Sequence, residues 1–110
     1  MIEFDCTVQE GCIPEEIRGD LAQAIAGCCD NVLGSDQGPV EVKWAEIPKG
    51  FGFRGGYPST TSLVRGAIPD GCDKETRAKL LMAIGDEWCN ISGAAKDEVI
   101  ISARDASWNG

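Results

Sequence analysis

The sequence predicts an α+β domain of tandem βαβ units, a four-stranded mixed sheet with two helices on one face. Three observations predict it. Apolar residues alternate at period two over 2–8 and 40–44, the pattern of half-buried strands, and 62–69 and 99–103 also read as strands. Inside each pair of strands, apolar residues recur every three or four positions, the stripe of a helix packed on one side. The order of parts also occurs twice: Glu10-Gly11-Cys12 returns as Asp70-Gly71-Cys72 at an offset of 60 residues. A right-handed crossover makes the two strands of each unit parallel. The 110 residues therefore read as one domain, with a first unit over about 1–57 and a second over about 60–110.

In the first unit, Ile2, Phe4, Cys6 and Val8 alternate with Glu3, Asp5 and Thr7 as a strand. Glu10-Gly11-Cys12 is a turn, Pro14 suits the first helical position, and Glu15-Glu16 suit the positive end of the helix. Ile17, Leu21, Ile25, Cys28 and Val32 form the helical stripe, and 34–39 breaks it. Val40, Val42 and Trp44 make the second strand; the glycine- and aromatic-rich 51–57 reads as a short hairpin. In the second unit Asp73 is a helix N-cap, Leu81, Ile84, Trp88 and Ile91 form the stripe, and Gly93 stops it. At the offset of 60, Glu15 matches Glu75, Leu21 matches Leu81 and Cys29 matches Cys89. With both helices on one sheet face, the other face is expected to carry apolar residues that only association can cover.

Composition excludes several functions. Acidic residues outnumber basic ones 18 to 10, a formal charge of −8, so a phosphate backbone is repelled and no nucleic-acid partner is expected. No apolar run approaches the ~20 residues of a membrane span, so no membrane partner is expected. The acidic start, Met1-Ile2-Glu3-Phe4-Asp5, is unlike a signal peptide, and the expected location is cytoplasmic. The chain has no histidine, which removes His-based nucleophile dyads and triads and the commonest general base. The six cysteines, at 6, 12, 28, 29, 72 and 89, lack paired C-x-x-C spacing, so no metal and no cofactor is expected. A secreted disulfide framework is the competing reading of an even count. Reduced thiols, several of them packed in the core, fit the self-sufficient apolar pattern better. Cys12 and Cys72 stand at helix starts, where thiol chemistry is an open alternative to packing.

The stretch 40–56 (Val40-Glu-Val-Lys-Trp-Ala-Glu46-Ile-Pro-Lys49-Gly50, then Arg54-Gly55-Gly56) resembles the second strand and hairpin of the tautomerase superfamily, the 4-oxalocrotonate tautomerase and malonate semialdehyde decarboxylase group. The Glu10-Gly11 turn and the tail 97–108 resemble family segments too, and the length suits the fused class with two units per chain. The resemblance implies a tautomerase/MIF-like fold, a homotrimer forming a barrel, and cofactor-free chemistry on a small 2-keto or enol carboxylic acid. Family members use an N-terminal proline as base. Alignment on Glu10-Gly11 places Ile2 at that position and Ser62 at its counterpart; Cys12, Cys72 and Glu41 stand where family arginines do. Isoleucine after the initiator blocks methionine removal, so the free amine belongs to Met1, displaced about 3.5 Å along the strand.

Two functions follow. One is an isomerase-like enzyme, or a related decarboxylase or hydratase. Met1 supplies the terminal amine and Ile2 the aligned position; Arg54 or Arg65 grips the substrate carboxylate, and Phe51 and Phe53 wall the pocket. The other is a catalytically silent trimer that binds a small ligand or a protein partner. For the arginines the competing reading is solvated surface charge, and for the aromatics subunit-interface anchors.

Overall fold

The computed structural model describes residues 2–50, 60–105 and the backbone of 53–54 and 57–58. Strand β1 (Ile2–Gln9) leads into α1 (Glu15–Leu33), then β2 (Val40–Ile47). A two-residue hairpin, β3 (Phe53–Arg54) and β4 (Tyr57–Pro58), separates the units. Strand β5 (Ser62–Ala67), α2 (Lys74–Ser92) and β6 (Val99–Arg104) complete the second. The sheet has the order β2-β1-β5-β6. The outer pairs are parallel, Ile2 opposite Val40 and Ser62 opposite Val99, and the central pair is antiparallel, Glu3 opposite Ala67.

Local chemistry sets the helix ends. Pro14 is the N-cap of α1, one position before the predicted place, and needs no N–H at either. Asp73 caps α2, its carboxylate accepting from the Thr76 N–H at 2.7 Å. Gly34 and Gly93 end the helices at positive φ, 103° and 78°, and both return their N–H to a carbonyl four residues back.

The repeat carries a one-residue slip. Gly11 and Gly71 differ by 60, but α1 starts four residues after its glycine and α2 only three after its own. From the helices onward the structural offset is therefore 59. This corrects the predicted stripe of α2. Leu80, Ile84 and Trp88 are its buried residues, matching Leu21, Ile25 and Cys29 of α1, whereas Leu81 and Ile91 are only partly buried. Trp88 stands where α1 carries a cysteine, and its indole stacks on Trp44 of β2 with centroids 5.9 Å apart. Under the helices lie Ile2, Phe4, Cys6 and Val8 of β1 and Val64 of β5, all buried. Gly66 of β5 leaves room for the Phe4 ring: a Cβ there would stand 2.4 Å from Phe4 Cε1.

The open sheet face differs from expectation. It carries Glu3, Asp5, Glu41, Lys43, Arg65 and Arg104, and its large apolar residues are Leu63 (40% exposed) and Ile100 (54%), side by side on β5 and β6. The strand alternation that sends Ile2, Phe4 and Cys6 inward sends charge outward, so this face is mainly polar.

Candidate functional site

Two clefts occupy opposite ends of the sheet, related by the internal repeat. The first lies where β1 begins. Ile2 is 1% exposed, and its N–H donates to Pro39 O at 3.0 Å. The cleft there holds about 170 Å³ between the end of α1 (Val32, Leu33) and the β5–α2 turn (Asp70, Cys72, Asp73). The second lies where β5 begins. It holds about 250 Å³ between the end of α2 (Ser92, Gly93) and the β1–α1 turn (Cys12), with Ser62, Thr60 and Glu98 on its wall. The antiparallel β1–β5 pairing explains the exchange: each strand starts beside the turn that ends the other.

Both clefts carry carboxylates. At the first, the Thr76 backbone N–H holds the Asp73 carboxyl below its usual range. At the second, the Ala95 N–H at 2.9 Å and the Thr60 hydroxyl at 2.7 Å hold Glu98 below its own. Neither cleft is lined by a lysine or arginine among the described residues.

The arginines of the two helices are engaged elsewhere, in the same way twice over. Arg18 Nη2 meets Glu46 Oε2 at 2.7 Å, donates to Ile13 O, and its guanidinium lies 5.5 Å over the Trp44 ring. Arg77 Nη2 meets Asp105 Oδ2 at 2.6 Å and donates to Cys72 O. Arg18, Glu46 and Ile13 each lie 59 residues before Arg77, Asp105 and Cys72, so the pairs are copies of one latch between the helix and the end of its unit. The sequence reading missed both, because the signal appears only at an offset of 59 and not at 60.

No protein-family model and no curated protein matches the chain by sequence. Solved structures do match. Native Ps01740 superposes with a TM-score of 0.87 at 29% identity, over 98% of this chain and 98% of that one. A fused 4-OT wild type symmetric trimer gives 0.84 at 17% identity, over 94% and 84%. Leishmania major MIF2 gives 0.78 at 16% identity, over 100% and 95%. This is the tautomerase-superfamily fold.

Within the tautomerase fold, Ile2 and Ser62 begin the two parallel strand pairs, the equivalent positions of the two units. With Met1 attached, the Ile2 nitrogen is an amide already committed to the ladder. Met1 and Phe51 fall outside the described residues, as does Trp108; of Phe53 and Arg54 only the backbone, in the hairpin, is described. Arg65 is exposed on the open face opposite Asp5, lining a shallow cavity with Glu3, Ser102 and Arg104, on the side of the sheet away from Ile2. Ile2 and Arg65 therefore do not meet within one chain. Glu46 serves the Arg18 latch.

The thiols divide by burial. Cys6 and Cys29 are pushed up to about 12 by desolvation, with Asp5 adding at Cys6 and Cys28 and then Asp30 adding at Cys29. Cys28 is raised by desolvation and by Glu87 and Asp86. Cys12, Cys72 and Cys89 are only half-buried, and Cys12 and Cys72 line the two clefts. No group of three His, Cys, Asp or Glu side chains able to hold a metal occurs among the described residues. No helix there is long and apolar enough to cross a membrane.

Proposed function

We propose that the protein is a homotrimer of the tautomerase fold that binds a small ligand and does not carry out proline-type keto–enol chemistry on carboxylic acids. The observation that carries this reading is the pair of carboxylates, Asp70 and Asp73, on the cleft where β1 begins. A 2-keto or enol acid entering there meets like charge from these two exposed carboxylates, which opposes its binding. The Ile2 nitrogen is held by Pro39. The Met1 amine lies one residue further out, and a displacement of about 3.5 Å from productive geometry costs roughly a hundredfold in rate or more. The homotrimer is supported by the similarity to fused 4-OT trimers.

The second reading is the isomerase-like enzyme, with the Met1 amine as base and Arg65 of a neighbouring subunit or Arg54 gripping the carboxylate. The exposure of Arg65 on the open face favours it. Ketonisation of a 2-hydroxydienoate, followed by ultraviolet absorbance between about pH 5 and about pH 9, separates the two. A buffer-level rate at all pH values is expected. A rate above buffer that falls as an amine of pKa near 7 protonates overturns the silent reading and supports Met1 as base. Sedimentation equilibrium is expected to give three times the 11.7 kDa chain mass; a monomer refutes the trimer.

A further inference from the structure

We propose that the second cleft, at the start of β5, is a binding site for a small organic ammonium ion, held by Glu98 and Ser62. This site gives the ligand-binding reading above, on which it rests, a place and a ligand class.

Ser62 is 2% exposed, lines the cleft, and its hydroxyl has no hydrogen-bond partner among the described residues. Among the described residues the fully enclosed polar atoms without a partner are Arg77 Nε and Trp88 Nε1, not the Ser62 hydroxyl, so this hydroxyl opens onto the cleft and is available to a guest. Glu98 offers charge. Its Oε1 accepts from the Ala95 N–H and its Oε2 from the Thr60 hydroxyl, which leaves each oxygen a further lone pair. The same two bonds hold the carboxyl below its usual range. Thr60 and Glu98 are brought to Ser62 by the β5–β6 register, in which Ser62 faces Val99.

The third contribution is the C-terminal end of α2. Ser92 and Gly93 line the cleft, and the last turn of the helix has no basic residue to offset its negative pole. Lys96, the nearest lysine in sequence, is turned to Asp86 at 3.2 Å. Ser92 does not compete for the guest, since its hydroxyl donates to Trp88 O and accepts from the Ala94 N–H.

Carboxylate, hydroxyl oxygen and helix C-terminus are all acceptors, so the complementary ligand is a donor with positive charge. Among the described residues no group of three His, Cys, Asp or Glu side chains able to hold a bare metal ion occurs here. An anion is repelled. The cavity of about 250 Å³, with Ile13 and Ala94 on its wall, leaves room for a short alkyl tail behind the charged head. The head donates to Glu98 and Ser62, and the tail lies against Ile13. For so small a ligand the dissociation constant is expected on the order of millimolar.

The test is a titration of the ¹⁵N-labelled full chain with n-propylammonium chloride at pH 7 and constant ionic strength, read by amide chemical shifts. Saturable shifts are expected at Ser62, Gly93, Ala94 and Glu98, with n-propanol at least about tenfold weaker on the same amides. Glu98→Gln, whose single oxygen can still accept from the Ala95 N–H while its amide nitrogen donates to the Thr60 hydroxyl, is expected to weaken binding about tenfold; Ser62→Ala is expected to weaken it about threefold. Asp70→Asn, in the other cleft, is expected to change nothing. Absence of saturable shifts at these amides overturns the proposal. So does equal affinity for propanol, or loss of binding in Asp70→Asn but not in Glu98→Gln. The amide shifts and the enol assay are separate signals: a silent enzyme with an empty second cleft refutes this site alone.

Discussion

Substituting Asp105→Asn and Glu46→Gln in parallel tests how burial sets the strength of one ion pair made twice. The geometries are nearly the same, 2.6 Å for Arg77–Asp105 and 2.7 Å for Arg18–Glu46. The carboxylates differ: the Asp105 side chain is 2% exposed and that of Glu46 is 42% exposed. An exposed pair contributes about 0–1 kcal/mol, because water already solvates both charges. Glu46→Gln should therefore cost less than about 1 kcal/mol. Breaking a buried pair costs roughly 3–5 kcal/mol, since the remaining charge is left desolvated. Asn keeps one acceptor, and the Arg77 side chain is one-fifth exposed, so about 2–4 kcal/mol is expected for Asp105→Asn. Urea denaturation followed by far-ultraviolet circular dichroism reads the difference. With a slope of about 1–1.5 kcal/mol per molar, Asp105→Asn should lower the midpoint by roughly 2 M and Glu46→Gln by under about 1 M. Measurement at two protein concentrations separates folding from subunit association. Midpoints that fall equally in the two variants would refute the burial reasoning.

Gly66→Ala should destabilise by about 1–3 kcal/mol, because the new methyl would stand 2.4 Å from the buried Phe4 ring; wild-type stability in thermal melts contradicts that packing. Iodoacetamide on the native protein near pH 8 should modify Cys12, Cys72 and Cys89 and spare Cys6 and Cys29, whose thiols are pushed up to about 12 by burial. Peptide mass mapping reads the pattern, and native labelling of Cys6 or Cys29 overturns it. The carboxyls of Asp73 and Glu98 are lowered on folding, so their contribution is present above the usual carboxylate range of about 4 and lost as pH falls through it. The double variant Asp73→Asn, Glu98→Gln should lose less urea resistance than wild type between pH 7 and pH 3; equal slopes would remove these two groups as the cause.

The sequence by itself determined the layers and their order. Period-two alternation placed β1 and β2, the stretches 62–69 and 99–103 read as β5 and β6, and helical spacing placed α1 and α2, because one-sided burial leaves such an imprint on a chain. Gly34, Gly93 and Asp73 marked helix ends through backbone and capping chemistry that is local by nature. The family resemblance at 40–56 agreed with the fold found.

Only the tertiary structure decided the rest. The slip from 60 to 59 residues lies in one turn, and it moves the core position of α2 from Leu81 to Leu80; identities at a fixed offset do not reveal it. The open face was expected to be apolar and is charged, because the outward residues of each strand (Asp5, Lys43, Arg65) become one surface only after pairing. Arg18 and Glu46, 28 residues apart in sequence, meet only when α1 lies back on β2. Arg65 was a candidate to grip the substrate carboxylate, but a strand's alternation sent it to the side of the sheet away from Ile2. Ser62 was legible as the counterpart of Ile2. That it is buried, lacks a hydrogen-bond partner among the described residues and stands near Glu98 depends on the β5–β6 register and the end of α2, which are long-range contacts. Periodicity records which face of an element is buried; it does not record which elements meet, and sites are made where elements meet.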